Sequence, residues 1–505
     1  MSEAPAYRVW FRDDAGCAEA IRSDEPVEVD LSAYGSNERM LEFLVDSGLW
    51  EVLTGMFPDG LRKENGKPWT ALNGVEVLRE LARVDRIAHC GRIVRDVRLM
   101  MIAGFNAEAV RRARARGDAV VDPETLSNHL ARIGPRSATE TFLGHFELLR
   151  RKRWVRGKTD AADAHEIVVP YGRRSERLGK VGEKYGYKLV MLLNIEPGRE
   201  RVAGFVLGPL QHSERGMLKI ALRGLDRRFG PLHDWMDTLV LDRGYWGAEF
   251  LLGLKRRYGT DVVTRAQHDE LAVVKDIEGL LRAEPVPWRW HRERHSRLGK
   301  MEVRCAGFEG LDLRDEHGRI VGRVNAVAAE EYEPGRTRRM RDARGEERPR
   351  FDYVTTLPAA RAPHRIRGYY RRRWRIENQG FRELTQQWAL DRLASRRFNA
   401  LNSRIAFALM LYNAERVFAM KHPEPWREAR ERRLASEDRG WLGGPSLAAY
   451  TADGRLGLFT PEQYGRLVAE RERNRIVRTL REALACGEDL ERTLERIENS
   501  RPDEA

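Results

Sequence analysis

Residues 369–388 read YYRRRWRIENQGFRELTQQW, and this stretch determines how the rest of the chain is interpreted. In a helix, the residues at offsets 0, 3, 7, 11 and 14 share one face; here they are Tyr370, Arg373, Glu377, Phe381 and Leu384. Unpaired buried charges are costly, so an ordinary core face would not carry both an acid and a guanidinium. The alternative is a structural Arg373–Glu377 ion pair one turn apart, worth roughly a few tenths of a kcal/mol.

An acid upstream occupies an informative place at the end of a predicted strand. Asp242 ends the apolar run TLVLD and is followed directly by Arg243 and Gly244. An acid at the carboxyl end of a buried strand lies at the sheet edge where ligands bind. The alternative is an N-cap of the next helix, which we disfavour because residues 244–246 intervene.

A second upstream acid lies in the first predicted strand of the same region. Asp163 belongs to DAHEIVV, and Asp160 stands three residues earlier as the alternative. We favour Asp163 because HEIVVP continues from it as a strand. Three carboxylates from two strands and one helix can hold two divalent cations roughly 3.5–4 Å apart for attack on a phosphodiester.

The ligand types and the neighbouring residues suggest what such a site would bind. Carboxylate oxygens without a His/Cys set suit Mg²⁺ or Mn²⁺. Arg373 would contact a flanking phosphate, and Tyr370 would form a hydrogen bond or stack nearby. Arg243, directly after Asp242, is a further candidate DNA contact.

The hydrophobic patterns predict a mixed α/β fold with five regions. Residues 151–265 read as β-β-β-α-β-α-β, the first part of a sheet covered by helices. Residues 266–364 carry short alternating runs, typical of a β-rich insertion. Residues 365–420 complete the catalytic region with two helices, whereas 1–150 and 421–505 read as helical flanking regions.

The composition favours a polyanionic partner. The 505 residues carry a net charge of +13, mostly through arginine, which suits bidentate phosphate contacts; a high-GC genome rich in arginine codons is the alternative. Within 1–150, the segment PETLSNHLARIG begins with Pro123 and predicts a recognition helix. Its Ser127, Asn128 and Arg132 would face bases or phosphates of DNA. A plain helical hairpin fits this segment nearly as well.

The sequence also indicates the cellular environment of the protein. No run of 18 uncharged apolar residues and no secretory leader is visible, so we expect no contact with a membrane. The four cysteines are far apart, which argues against disulfides and structural zinc.

In combination these motifs identify a family. The chain resembles insertion-sequence transposases of the DDE class, which have an RNase H-like catalytic domain. It is similar to the group with a Tyr-x2-Arg-x3-Glu-x6-Lys motif and a β-rich insertion before the last acid. Tyr370, Arg373 and Glu377 stand at that spacing, and LVLDRGYWG also matches. The resemblance covers about residues 155–420 and implies that the catalytic, metal-binding acids are Asp163, Asp242 and Glu377.

The sequence departs from this family at one position. The motif lysine falls on Leu384, and the next residue, Thr385, is not basic either. Arg382 nearby, or Arg392 or Arg396, would have to replace the lysine contact with the transferred strand.

The resemblance also suggests a role for an aromatic residue of the insertion. In relatives such a residue stacks on a base displaced at the transposon end. Trp288 or Trp290 could do this here, although a buried strand tryptophan is the interpretation we favour.

The resemblance implies a bacterial, cytoplasmic, nucleoid-associated enzyme acting on double-stranded DNA. It would bind terminal inverted repeats through residues 1–150, act as at least a dimer on DNA, and join freed 3′-hydroxyls to target DNA. No phosphate-binding GxxxxGK[ST] loop is present. The alternatives are a metal-dependent nuclease without strand transfer and a non-catalytic, domesticated DNA-binding copy.

Overall fold

The computed structural model describes residues 11–32, 38–58, 67–169, 175–266, 271–283, 285–295, 299–335, 338–341, 345–348, 350–392, 395–435 and 446–499. The chain forms two compact units. Unit 1 comprises Met1–Trp50, Leu61–His129 and Glu424–Ala505, and unit 2 comprises Glu51–Gly60 and Leu130–Pro423.

The strands are β1 (Phe11–Arg12), β2 (Val27–Ser32), β3 (Thr159–Val168), β4 (Gly179–Val181), β5 (Lys184–Asn194), β6 (Arg201–Pro209), β7 (Thr238–Leu241), β8 (Asp261–Arg265), β9 (Arg289–His295), β10 (Gly299–Arg314), β11 (Ile320–Tyr332), β12 (Phe351–Thr355), β13 (Ser446–Thr451) and β14 (Arg455–Phe459). The helices are α1 (Asp14–Arg22), α2 (Glu38–Asp46), α3 (Leu49–Thr54), α4 (Trp69–Leu81), α5 (Gly91–Val94), α6 (Val97–Ala103), α7 (Ala107–Ala115), α8 (Pro123–Arg132), α9 (Pro135–Arg151), α10 (Glu214–Phe229), α11 (Ala248–Tyr258), α12 (Ala272–Ala283), α13 (Pro363–Arg372), α14 (Arg382–Trp388), α15 (Phe398–Lys421), α16 (Pro423–Ala435), α17 (Pro461–Ala485) and α18 (Leu490–Asn499).

Unit 2 is built on one mixed sheet in the order β4-β5-β3-β7-β8-β12-β11-β10-β9, with β6 also paired to β5. β3, β7 and β8 run parallel to one another, and the other pairs are antiparallel. β5 is buried along most of its length and packs against α10. The predicted mixed α/β class is therefore confirmed.

Local signals set the ends of the helices beside this sheet. α10 begins after Ser213 with Glu214 in its first turn, and Gly230 follows its last residue. α11 ends at Gly259, whose left-handed φ of 69° lets its N–H bond the Lys255 carbonyl. The predicted order of strands and helices through residue 265 is confirmed, with the short β4 added.

The residues of the predicted insertion extend the same sheet. The described part of residues 266–364 contains β9 to β12, the helix α12, which packs against β10, and the first two residues of α13. β12 pairs with β8, so these strands continue the sheet without a break. The apolar helix predicted after the 369–388 stretch is α15, which is buried along most of its length and packs against α9 and β6.

Unit 1 combines the two ends of the chain. Its four-stranded sheet has the order β1-β14-β13-β2, so two strands from the N-terminal region flank a hairpin from the C-terminal region. α1 packs on β14 and α17. Both flanking regions therefore contain strands as well as the expected helices. Among the described helices of the whole chain, none has the length and apolarity that crossing a membrane requires.

Residues 369–388 do not form one regular helix. α13 ends at Arg372, a six-residue π-helix spans Ile376–Phe381, and α14 follows directly. The end of α13 and the π-helix change which residues of this stretch share a face.

Candidate active site

Two neighbouring parallel strands bring the first two acids together. Ala162 of β3 lies opposite Leu241 of β7 in register, so Asp163 within β3 and Asp242 just beyond the end of β7 are side by side. Asp242 precedes a 3₁₀ turn, Arg243–Tyr245, and its side chain does not cap that turn. Its carboxylate is thus available for other partners.

The third acid comes from the helical stretch at residues 369–388. Glu377 is the second residue of the π-helix, and its carboxylate lies 2.7 Å from Nη1 of Arg373, one turn earlier. Arg373 sits at the break after α13, where its N–H bonds the Tyr370 carbonyl. This local geometry directs the Arg373 side chain and the Glu377 side chain toward each other.

The guanidinium of Arg373 contacts all three carboxylates. Nη1 of Arg373 lies 3.1 Å from Oδ2 of Asp163, and its Nη2 lies 3.5 Å from Oδ1 of Asp242. The Arg373 side chain is 6% exposed, whereas those of Asp163, Asp242 and Glu377 are 17%, 33% and 37% exposed. The acids therefore form an open, negatively charged cluster around one buried cation.

Electrostatics at the cluster follow from burial and from this shared partner. Burial raises the pKa of Asp163 to about 6, although the Ala164 N–H and Arg373 oppose the rise. Burial disfavours the charge of Arg373, but Asp242, Tyr370 and the other acids raise its pKa above the usual value. Arg373 is thus a permanent cation among acids that repel one another.

Tyr370 closes one side of the cluster. Its hydroxyl donates to Oδ1 of Asp242 at 3.3 Å, and burial raises its pKa to about 12. Its ring lies 5.3 Å from that of Tyr353 in β12. Tyr370 is therefore a neutral hydrogen-bond donor held by the insertion strands.

Asp160, the alternative first acid, lies apart from this cluster. It is 1% exposed, and Asn194, opposite it on β5, partly stabilises its charged form. It borders a separate cavity of about 300 Å³ that Arg150 and Trp235 also line. Arg373 contacts Asp163 and not Asp160, so the geometry favours Asp163 for a shared site.

A buried ion network ties α13, the helix that carries Tyr370, to the insertion. Arg367 of α13 is 1% exposed and lies 3.0 Å from Glu293 of β9 and 2.5 Å from Glu331 of β11. It also donates to the Tyr353 hydroxyl at 3.1 Å, and Arg371 pairs with Glu293 as well. No local pattern in the sequence indicates this network, because its partners lie up to 78 residues apart in the chain.

The two tryptophans predicted to contact DNA pack within the insertion. Trp288 precedes β9, packs against the core beneath α12, and has Arg304 over its ring at 4.5 Å. Trp290 meets Tyr332 edge-on at 5.0 Å. Both are half-buried, and contact of either ring with DNA stays a prediction.

The predicted basic and polar DNA contacts are partly open to solvent. Arg243 is exposed on the turn after Asp242, and Arg382 is exposed at the start of α14. Arg132 is exposed at the end of α8, on which Asn128 is half-buried. Leu384, at the position of the family lysine, is fully buried.

His165 borders the cluster and was not singled out from the sequence. It lies two residues after Asp163, on the same face of β3. Its Nε2 lies 2.5 Å from Oδ1 of Asp391, and its ring stacks on Phe381 at 5.1 Å. Following the period-2 alternation from Asp163 would have found it.

Comparison with known proteins supports the geometry. A family described as the transposase DDE domain matches residues 158–414, just over half of the chain, and this range contains all three clustered acids. No curated protein matches the chain.

Proposed function

This chain belongs to the transposase DDE-domain family, and from that premise we propose that it is the DNA transposase of an insertion sequence. It would hydrolyse a phosphodiester at each end of its element and direct the freed 3′-hydroxyl at target DNA. The observation that carries the proposal is the meeting of Asp163, Asp242 and Glu377 around Arg373.

The donor set fits a hard divalent cation, Mg²⁺ or Mn²⁺. All three side chains offer carboxylate oxygen, and none of them is His or Cys. Among the described residues, however, no three potential ligands lie close enough to share an ion. Arg373 already occupies the position among the carboxylates, so it must withdraw before they can close on a cation.

The chain's own residues would prepare the reaction. Divalent ions bound by the three acids would activate the attacking water or hydroxyl and stabilise the leaving oxygen. Arg373 would exchange its carboxylate partners for a DNA phosphate, which offers the same bidentate geometry. Tyr370 would keep Asp242 oriented through its hydroxyl. Phosphate binding would thereby free the acids at the moment when substrate arrives.

The charge of the chain and its family support further proposals about DNA contacts and oligomeric state. Residues 1–150 would bind the terminal inverted repeats, with Asn128 and Arg132 on DNA, and Arg243 and Arg382 would contact strands near the acids. Two ends must be joined, so we propose at least a homodimer on DNA. The net charge of +13 supports a polyanionic partner.

One observation favours a nuclease without strand transfer as the second candidate. Leu384 is fully buried where the family has a lysine, so that position offers no cation to the transferred strand. Pre-cut end duplexes incubated with a target plasmid and Mn²⁺ separate the two. Joined product supports the transposase; nicking without joining supports the nuclease.

A set of variants tests the acids. Asp163→Asn, Asp242→Asn and Glu377→Gln should each abolish Mn²⁺-dependent nicking, whereas Asp160→Asn should retain it. Glu166→Gln is the matched control, because Glu166 is an exposed acid on the same strand as Asp163. Nicking by Glu377→Gln equal to that of wild type would leave only a non-catalytic DNA-binding protein.

A further inference from the structure

The helix that carries Glu377 is wound more widely than an α-helix at that point. The π-helix spans Ile376–Phe381, and the Arg382 N–H donates to the Glu377 carbonyl, five residues back rather than four. π turns are rare and concentrate at functional sites. Where the backbone hydrogen bonds change from five-residue to four-residue spacing, one carbonyl is left without a backbone N–H. That carbonyl then needs another donor.

Two side chains from α15 supply donors to a carbonyl of this turn. The hydroxyl of Tyr412 and Nη2 of Arg416, the latter at 3.4 Å, both donate to the Gln379 carbonyl. Tyr412 and Arg416 are one turn apart on α15, and Arg416 also pairs with Glu383 of α14 at 2.6 Å. The two donors thus reach the π turn and the helix that follows it.

Tyr412 and Arg416 both keep the protons that they donate. Tyr412 is 1% exposed, and burial raises its pKa well above the usual value, so its hydroxyl keeps its proton. Burial disfavours the charge of Arg416, but Tyr412 and Glu383 raise its pKa. Both groups therefore remain hydrogen-bond donors at neutral pH.

Further contacts hold the turn from the side of the sheet. Arg375 donates to the Gln379 side-chain oxygen at 3.2 Å and pairs with the buried Glu200. A Cβ at Gly380 would meet the end of the Met191 side chain at 2.9 Å, so glycine permits close approach to β5. The turn is therefore clamped between the sheet and α15.

We infer that Tyr412 and Arg416 are positioning residues for Glu377, an inference that rests on the proposed function. α14 is anchored by buried Leu384 and by Trp388, whose indole N–H donates to Glu415 of α15 at 3.2 Å. If the π turn relaxes to α spacing, the register changes by one residue, which is about 100° of rotation. Because α14 is fixed, Glu377 turns away from Asp163 and Asp242.

The test is Tyr412→Phe, which removes one hydroxyl, with Tyr187→Phe as the matched control. Tyr187 is also buried in unit 2 and donates to a backbone carbonyl, that of Glu176 at 2.6 Å. Hydrogen exchange of peptides spanning 374–388 reports on the π turn without any metal. Nicking at graded Mn²⁺ concentrations reports on the placement of Glu377.

We expect Tyr412→Phe to accelerate exchange in this segment and to raise the Mn²⁺ concentration for half-maximal nicking about five- to tenfold, the effect of one hydrogen bond. Tyr187→Phe should change neither. Unchanged exchange or an unchanged Mn²⁺ requirement in Tyr412→Phe overturns the inference while leaving the transposase intact. Absence of Mn²⁺-dependent nicking in wild type overturns the proposed function, and the inference with it.

A second variant keeps the test decisive if Tyr412→Phe does not fold. Arg416→Lys retains a cation for Glu383 but lacks the planar fork that reaches both partners. The same increase in exchange and in Mn²⁺ requirement is expected. A wild-type profile for Arg416→Lys would remove Arg416 from the positioning role.

Discussion

Arg373 competes with any cation for the same three carboxylates. Replacing it with Ala removes a positive charge within 3.5 Å of Asp163, Asp242 and Glu377. We expect Arg373→Ala to bind Mn²⁺ about tenfold more tightly without DNA, within the ordinary range of coupling between two sites, and yet to lose nicking. Calorimetric titration with Mn²⁺ measures the first effect.

The neighbouring Arg372 provides the control for this prediction. It pairs with Glu196 at 3.2 Å and not with the three acids, so Arg372→Ala should leave Mn²⁺ affinity unchanged. Equal or weaker Mn²⁺ binding by Arg373→Ala would show that the guanidinium does not occupy the cation position.

Asp160 should make the folded state less stable as pH rises. Burial raises its pKa to about 7, and Asn194, opposite it on β5, offsets only part of this rise. The folded state therefore binds a proton between about pH 4 and 7 that the unfolded state has released, so stability falls across that window. Asp160→Asn should flatten this slope and stabilise the protein at pH 8 by about 1–3 kcal/mol.

Urea unfolding at several pH values measures this slope. Asp234→Asn is the control, because Asp234 lines the same cavity but is exposed. A decline for Asp160→Asn as steep as that of wild type would contradict the assignment of the slope to this carboxyl.

At the scale of elements, the lysine position depends on the π turn. In an α-helix, a residue and the one seven positions later share a face, but the π turn adds one residue to this spacing. Thr385, eight residues after Glu377, therefore shares its open face, and Leu384 does not. Leu384→Lys would bury an unpaired charge and should cost about 3–5 kcal/mol. Thr385→Lys should fold, because Thr385 is half-buried.

Thermal denaturation of both variants tests this difference, and the strand-transfer assay shows whether Thr385→Lys increases joining. A Leu384→Lys protein as stable as wild type would mean that Leu384 is not held in the core. The sequence could not reveal this shift, since α and π turns use the same residue types. The spacing of Tyr370, Arg373 and Glu377 was nevertheless readable, because these three residues precede most of the π turn.

The contact between α13 and the insertion strands is a second property of elements. Arg367 is buried with Glu293 and Glu331, and removing one partner of a buried pair leaves a charge without compensation. We expect Arg367→Ala to lose about 3–5 kcal/mol in urea unfolding. Arg365→Ala, exposed on the same helix, should lose almost nothing; similar losses for both would deny the anchoring role.

At the scale of the whole molecule, what the sequence predicted depended on distance along the chain. The strand and helix order from β3 to β8 could be predicted because hydrophobic periods, Ser213 and Gly259 mark each element locally. The pairing of β2 with β13 joins Val29 to Ala449, and nothing local reports such a contact. The sequence therefore predicts only a helical flanking region at residues 421–505, although the hairpin of this region forms the middle of a sheet.

The sheet of unit 1 depends on the C-terminal hairpin formed by β13 and β14. β13 lies between β14 and β2, and its Ala449 packs with Cys17 and Ile21 of α1. A chain ending at residue 435 would leave β2 and α1 without their partners, exposing apolar area worth roughly 25 cal/mol per Å². Limited trypsin digestion should then cut the arginine-rich α7 rapidly, while residues 130–423 stay protected. A chain ending at residue 487 retains the hairpin and loses only α18, so it should resist trypsin at α7 as the full chain does; equal protection in the shorter chain would make the hairpin dispensable.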